Sequence, residues 1–110
     1  MELNEIKFFR GNYHQIRFKF KTFTGKPEMI YLTVRCEKGY KQLHKRLGDG
    51  IELVDEWYEI TFLPEDTNDI DCSLEMTYDI EIVVDNKKPF TIKKDKFILL
   101  EENTRPEDEV

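Results

Sequence analysis

Two cysteines, Cys36 and Cys72, and two histidines, His14 and His44, are the only thiols and imidazoles in the chain. A nucleophilic dyad would have to pair one of each kind. Neither cysteine follows a glycine-rich elbow or opens a helix, the settings that lower a thiol pKa, so both read as inert. The single serine, Ser73, further thins the material for acyl transfer. Asp69-Ile70-Asp71-Cys72-Ser73 starts like a calcium loop. Leu74 stands where such a loop needs glycine, however, and Ile80 where it needs a bidentate glutamate. A solvated acidic loop is the expectation there. The histidines lie at no zinc-binding spacing and read as surface residues. No catalytic residue, metal or cofactor is expected.

Aromatic and cationic residues interleave near the N-terminus: Phe8, Phe9, Tyr13, Phe18, Phe20 and Phe23 among Lys7, Arg10, Arg17, Lys19 and Lys21. A single-strand nucleic-acid platform needs both kinds on one face, so that bases stack while phosphates are neutralised. Alternation along a strand puts them on opposite faces, which sends Phe18 and Phe20 to a core. With a formal charge of −6, nucleic acid is not an expected partner. Lys38, Lys41, Lys45 and Arg46, with Tyr40, are all that remains of that idea.

The elements that would position these groups are strands. Ile16, Phe18 and Phe20 alternate with Arg17, Lys19 and Lys21, and Ile30, Leu32, Val34 and Cys36 with Tyr31, Thr33 and Arg35. Tyr58, Ile60 and Phe62 alternate with Trp57, Glu59 and Thr61; Met76, Tyr78, Ile80, Ile82 and Val84 with Thr77, Asp79, Glu81 and Val83. Such period-2 patterning marks strands with one buried face. Further strands are expected at Leu3 to Phe9, near Ile51, and at Phe90 to Leu100. Thr24-Gly25-Lys26-Pro27, Gly48-Asp49-Gly50 and Asp85 to Pro89 read as turns. Pro64-Glu65-Asp66-Thr67 reads as one helical turn, proline suiting its first position and acids its N-terminus. Tyr40, Leu43 and Leu47 have helical spacing, leaving that stretch between a short helix and an irregular strand. Alanine, the best helix former, is absent. The predicted fold is all-β: the pattern suits an antiparallel sandwich or barrel, and the reading adopted is an immunoglobulin-like sandwich of about seven strands with Greek-key connections.

At 110 residues the chain is one domain, expected over 1–100, with an acidic flexible tail over 101–110. No apolar run approaches a membrane span, and the acidic start is unlike a signal peptide. The cysteines are therefore expected reduced, in a cell interior.

Charge is segregated. Residues 1–46 carry eleven basic and four acidic side chains, whereas residues 47–86 carry thirteen acids and no Lys or Arg. Greek-key pairing would set Arg17, Lys19 and Lys21 beside Glu59, and Arg35 beside Asp79 and Glu81, so the blocks would serve strand register. If the acids instead gather in one open patch, the block Asp49 to Asp85 would suit a small regulatory or inhibitor protein that occupies a basic surface of a host protein. Trp57 faces outward if Tyr58 faces inward, as an interface anchor or as the cover of one open end of the sandwich. Trp57, Tyr40, Glu59, Asp79 and Glu81 are the candidate interface residues.

An ordered set of short motifs adds to this. Phe9-Arg10-Gly11 is followed by Thr24 to Pro27, Asp49-Gly50-Ile51, the Tyr58 to Phe62 strand, Pro64 to Thr67, Tyr78 to Glu81 and the Thr91 to Phe97 strand. This order resembles the small immunoglobulin-like proteins of tailed bacteriophages and prophages, similar to the N-terminal domain of phage baseplate upper proteins. Asp95 departs from the glycine usual in that family. The resemblance implies a non-enzymatic virion tail, baseplate or adaptor protein that works by protein–protein contact, with virion components or a second copy as partners. It also implies residence in a virion or the host bacterial cytoplasm, and no membrane.

Overall fold

The computed structural model describes residues 3–20 and 26–101. Lys21, Phe23, the Thr24-Gly25 half of one expected turn and the tail beyond Glu101 lie outside the described residues. Among the described residues eight strands form: β1 (Ile6–Phe9), β2 (His14–Phe18), β3 (Met29–Cys36), β4 (Lys41–Leu47), β5 (Gly50–Val54), β6 (Trp57–Phe62), β7 (Met76–Val83) and β8 (Phe90–Leu100), with one helical turn, α1 (Pro64–Thr67). All-β is the observed class.

The strands join in one hydrogen-bonded order, β1-β8-β7-β3-β4-β5-β6-β2. Three of its pairings are those that the Greek-key reading anticipated: β2 with β6, β3 with β7, and β7 with β8, all antiparallel. Two features depart from it. The strands number eight rather than about seven, and β1/β8 and a two-residue β4/β5 bridge are parallel, so the sheet is mixed. The extra strand is β4, where Tyr40, Leu43 and Leu47 had left a helix open. A β-bulge between Val34 and Arg35 shifts the β3/β4 pairing. The strand then buries Leu43 and Lys45 and turns His44 and Arg46 outward.

The sheet curls until it nearly closes into a barrel, bringing its two ends together. Phe8 of β1 stacks on His14 of β2 with ring centroids 4.6 Å apart and planes 11° off parallel. That seam is closed by side chains, with no backbone ladder between β1 and β2.

The inward set follows the period-2 reading. Phe18, Ile30, Leu32, Val34, Tyr58, Ile60, Phe62, Tyr78, Ile80 and Ile82 are buried, while Ile16 and Phe20 pack against them half-buried. Each fully buried aliphatic or aromatic side chain contributes about 1.5–3 kcal/mol. Tyr78 lies wholly in the core, and its hydroxyl donates to the Asn4 carbonyl at 2.5 Å. That bond satisfies the one polar atom its burial would otherwise strand. Burial pushes its phenol pKa well up, with Asp95 adding to the shift.

The Phe9-Arg10-Gly11 motif has a local role. Gly11 turns at φ +77°, and a Cβ there would meet Asn68 Oδ1 at 2.6 Å. Its N–H donates to the buried Thr67 Oγ1 at 2.7 Å, which docks the β1–β2 turn on α1.

Candidate interaction surfaces

Two outward sheet faces carry most of the polar side chains singled out above. The larger spans β8, β7, β3 and β4. Register sets Asp79 between Thr33 and Lys94, and Glu81 between Tyr31 and Thr91. The expected neighbour Arg35 pairs with Thr77 instead. Arg35 lies one outward step further along β3, so Asp79 meets it only diagonally and Glu81 not at all. Asp79 Oδ1 is shielded from solvent, and no protein group hydrogen-bonds to it among the described residues.

At the β3–β4 side of this face His44 forms the centre of a cluster. Its Nδ1 lies 3.0 Å from Thr33 Oγ1, and its ring stacks on Tyr31 at 5.6 Å. Partial burial lowers the imidazole pKa first, followed by repulsion from Lys41, Arg46 and Arg35, with Glu81 pulling the other way. Arg35 is steadied by an Nη1–H bond to the Gly39 carbonyl at 3.1 Å. Tyr40 sits at the tip of the same β3–β4 turn, 69% exposed.

The second face belongs to β2, β6 and β5. Arg17 Nε and Nη2 both reach Glu59 Oε2 at 2.7 Å, and Gln15 Nε2 donates to Thr61 Oγ1 at 3.0 Å. Lys19 Nζ lies 3.5 Å from Glu56 Oε2 and 4.5 Å from the centroid of the Trp57 ring. Trp57 is accordingly half-buried, with a cation over its ring. Glu59 is engaged by Arg17.

The five candidate interface residues therefore do not form one site. Asp79 and Glu81 share the larger face with Tyr40 at its end, whereas Trp57 and Glu59 lie on the other. The basic cluster is divided too. Lys45, grouped by sequence with Lys38, Lys41 and Arg46, points inward and is 8% exposed. Its Nζ pairs with Asp66 Oδ2 at 2.5 Å. His44 and Tyr31 were not singled out as partners in the sequence. The available signal was Leu43-His44-Lys45-Arg46-Leu47, which as a strand places His44 and Arg46 on the face of Tyr31 and Thr33.

The reactive residue types are held apart by different partners. His14 stacks on Phe8 at 4.6 Å, with the Phe62 ring further off at 6.3 Å, and burial lowers its pKa. Cys36 is buried and Cys72 half-buried, and neither is joined in a disulfide. A groove of about 630 Å³ runs past Cys72, Leu74, Glu75, Met76, Lys96 and Ile98. Another, of about 440 Å³, lies between Lys19, Phe20, Leu53, Glu56 and Tyr58. Among the described residues no three His, Cys, Asp or Glu side chains are grouped to hold a metal ion, and no helix is long and apolar enough to cross a membrane.

No protein-family model matches the chain. No curated protein matches it either. Among solved structures, a chain from Bacteroides vulgatus ATCC 8482 described as a "putative glycoside hydrolase" aligns with 89% of this chain at 18% identity and a TM-score of 0.51. This chain spans 17% of that one's length, and the likeness is one of fold.

Proposed function

We propose that the chain is a non-enzymatic structural or adaptor domain of a phage or prophage, immunoglobulin-like in fold, that acts through protein–protein contacts. The observation that carries this reading is the charged outward face of β8, β7, β3 and β4, on which Arg35, Lys41, His44, Arg46, Lys94 and Lys96 are exposed. Charged side chains spread over the convex outside of a sheet suit a macromolecular surface, whereas catalysis needs a nucleophile, a base and an orienting group converging in a cleft. The immunoglobulin-like class is supported by the β2/β6, β3/β7 and β7/β8 pairings. They match the second-with-fifth, third-with-sixth and sixth-with-seventh pattern of such sandwiches, with β4 as an added strand. Virion components are the proposed partners, with no cofactor, nucleic acid or membrane involved.

The acidic regulator is the weaker reading. Glu56, Glu59 and Asp66 are drawn into ion pairs with Lys19, Arg17 and Lys45. The other acids of the block are spread over β5, α1 with its following loop, β7, and the β4–β5, β5–β6 and β7–β8 turns rather than one strand face. The glycosidase activity in the neighbour's description is not proposed for this chain. Such chemistry needs two carboxylates flanking a sugar-sized cleft, and the likeness extends to a small part of that enzyme.

Particles purified from the phage or prophage that encodes the chain test the proposal. The chain should co-purify with them at fixed stoichiometry and cross-link to tail or baseplate proteins. Recovery solely in a soluble complex with a host protein would favour the regulator.

A further inference from the structure

Among the described residues β4 has an edge that β5 covers at only two positions. Arg46 N–H donates to the Asp49 carbonyl at 3.0 Å, and its own carbonyl accepts from Asp49 N–H at 2.8 Å. The Arg46 main chain therefore points toward β5. Main-chain groups two residues apart in a strand point the same way, so those of His44 point along that edge too. Gln42 is the extra residue of the β-bulge; beyond it Tyr40 is turned toward β3 by the Cys36 N–H, which donates to its carbonyl at 3.0 Å, so the Lys41 main chain again faces the edge. β5 meets β4 only at Arg46↔Gly50 and Leu47↔Ile51, and among the described residues no strand lies beyond Lys41 and His44. An unpaired strand edge is a template for another strand.

The side chains beside this edge restrict what can add to it. His44, Lys41 and Arg46 face outward on β4, with Arg35 on the adjacent β3. Glu81, across from Tyr31, is the one acid that acts on the His44 ring. A second copy pairing edge to edge would set Lys41, His44 and Arg46 against their own counterparts, and like charges across strands are destabilising. The inward Lys45, held by Asp66, is a further guard against self-pairing, since inward charges blunt edge strands. A phosphate backbone could use the cations but not the main-chain donors and acceptors, and would meet Asp79 and Glu81 on the same face.

We propose that the β4 edge takes up an extended, acidic protein segment as an added strand. Its main chain bonds to His44 and, past the bulge, to Lys41, and its carboxylates lie beside His44, Arg46 and Lys41. The residues between those carboxylates point inward next to Leu43, which is buried, and are therefore apolar. This mode of recognition takes affinity from main-chain bonds and specificity from alternate side chains. The proposal rests on the reading of the chain as a binding module and adds the site and the chemistry of the partner.

Fluorescence anisotropy with the full chain tests it, using a labelled octapeptide of alternating valine and glutamate. Its controls are the valine–lysine counterpart, a thymidine oligonucleotide, and the valine–glutamate peptide N-methylated along one edge. Saturable binding of the glutamate peptide is expected, weakened at least about tenfold by Lys41→Glu or Arg46→Glu, since both are exposed and act by charge. The N-methylated peptide should lose binding by a similar factor while keeping every carboxylate, which separates strand addition from mere charge attraction. No saturable binding, equal binding of the lysine peptide, undiminished binding of the N-methylated peptide or tighter binding of the oligonucleotide would each overturn the proposal. So would a concentration-dependent dimer abolished by Lys41→Glu. A chain that enters particles yet ignores the glutamate peptide would defeat the edge proposal and leave the adaptor reading standing.

Discussion

Lys45 Nζ lies 2.5 Å from Asp66 Oδ2, joining the inward face of β4 to α1 across twenty-one residues of chain. The same carboxylate oxygen accepts the Leu63 N–H at 2.7 Å, so one atom both anchors a lysine and caps a helical turn. Both side chains are largely withdrawn from solvent, and removing one partner leaves the other charge poorly compensated. Lys45→Met should cost about 2–3 kcal/mol in urea denaturation. Adding Asp66→Asn, which keeps an acceptor for Leu63, should restore much of the loss. If Lys45→Met alone is neutral, the pair is not a structural tie.

Gly50 reports on the same contact. It sits at φ +97°, and a Cβ there would meet Lys45 Cδ at 2.3 Å, whereas Gly39 at φ +88° faces open space. Gly39→Ala should cost about 1–2 kcal/mol for the left-handed backbone alone. Gly50→Ala should cost more, because Lys45 must move from Asp66 to make room. In a Lys45→Met background the two penalties should converge, since the long side chain is then free to rearrange.

His14 is expected to make stability depend on pH. Partial burial lowers its folded-state pKa, so the unfolded chain takes up a proton at a higher pH than the folded one. This stabilisation is complete above the unfolded value of about 6.5 and is lost as pH falls below it toward the folded pKa. His14→Phe preserves an aromatic ring against Phe8 and Phe62 and should flatten the melting temperature below that pH. His44, also lowered, contributes in the same direction, so His44→Gln should flatten the profile further.

Glu59 has a cation on one side and an acid on the other: Arg17 across β2 and Glu52 across β5. Reversing it as Glu59→Lys exchanges which neighbour is favourable, and the change should stay within about 1 kcal/mol. Arg17→Glu instead lines up three acids across β2, β6 and β5. It should destabilise by about 1 kcal/mol at low ionic strength, with added salt removing much of the loss. Thermal melts of both variants in low and high salt distinguish these outcomes.

The thiols should differ in access. Cys72 is half-buried beside the groove, and Cys36 is buried among core residues. Under native conditions a thiol reagent should label Cys72 at least about tenfold faster than Cys36, whose reaction waits for opening of the β3 end of the sheet. Equal rates would mean that β3 frays at Cys36.

Local patterning determined more of this protein than long-range geometry did. Alternation along Ile30 to Cys36, Tyr58 to Phe62 and Met76 to Val84 fixes which side chains are inward, because a strand has only two faces and one must be covered. Proline and acids at Pro64 to Asp66 likewise specify a helical turn through local backbone preference. The tertiary structure decided what local preference leaves balanced. Tyr40 to Leu47 carries both a helical and a strand spacing. It becomes β4 because β3 offers it a ladder and because Asp66, brought close by α1, receives the buried Lys45. Register decided the electrostatics. Glu59 meets Arg17 as the charge pattern anticipated, but Asp79 and Glu81 are set opposite Thr33 and Tyr31, because the β3/β7 alignment follows the packing of Leu32 on Ile80 and Val34 on Tyr78. The free edge at Lys41 and His44 is likewise invisible to any reading of residue types. It exists because β5 turns away after two paired residues, a property of how strands meet rather than of the residues themselves.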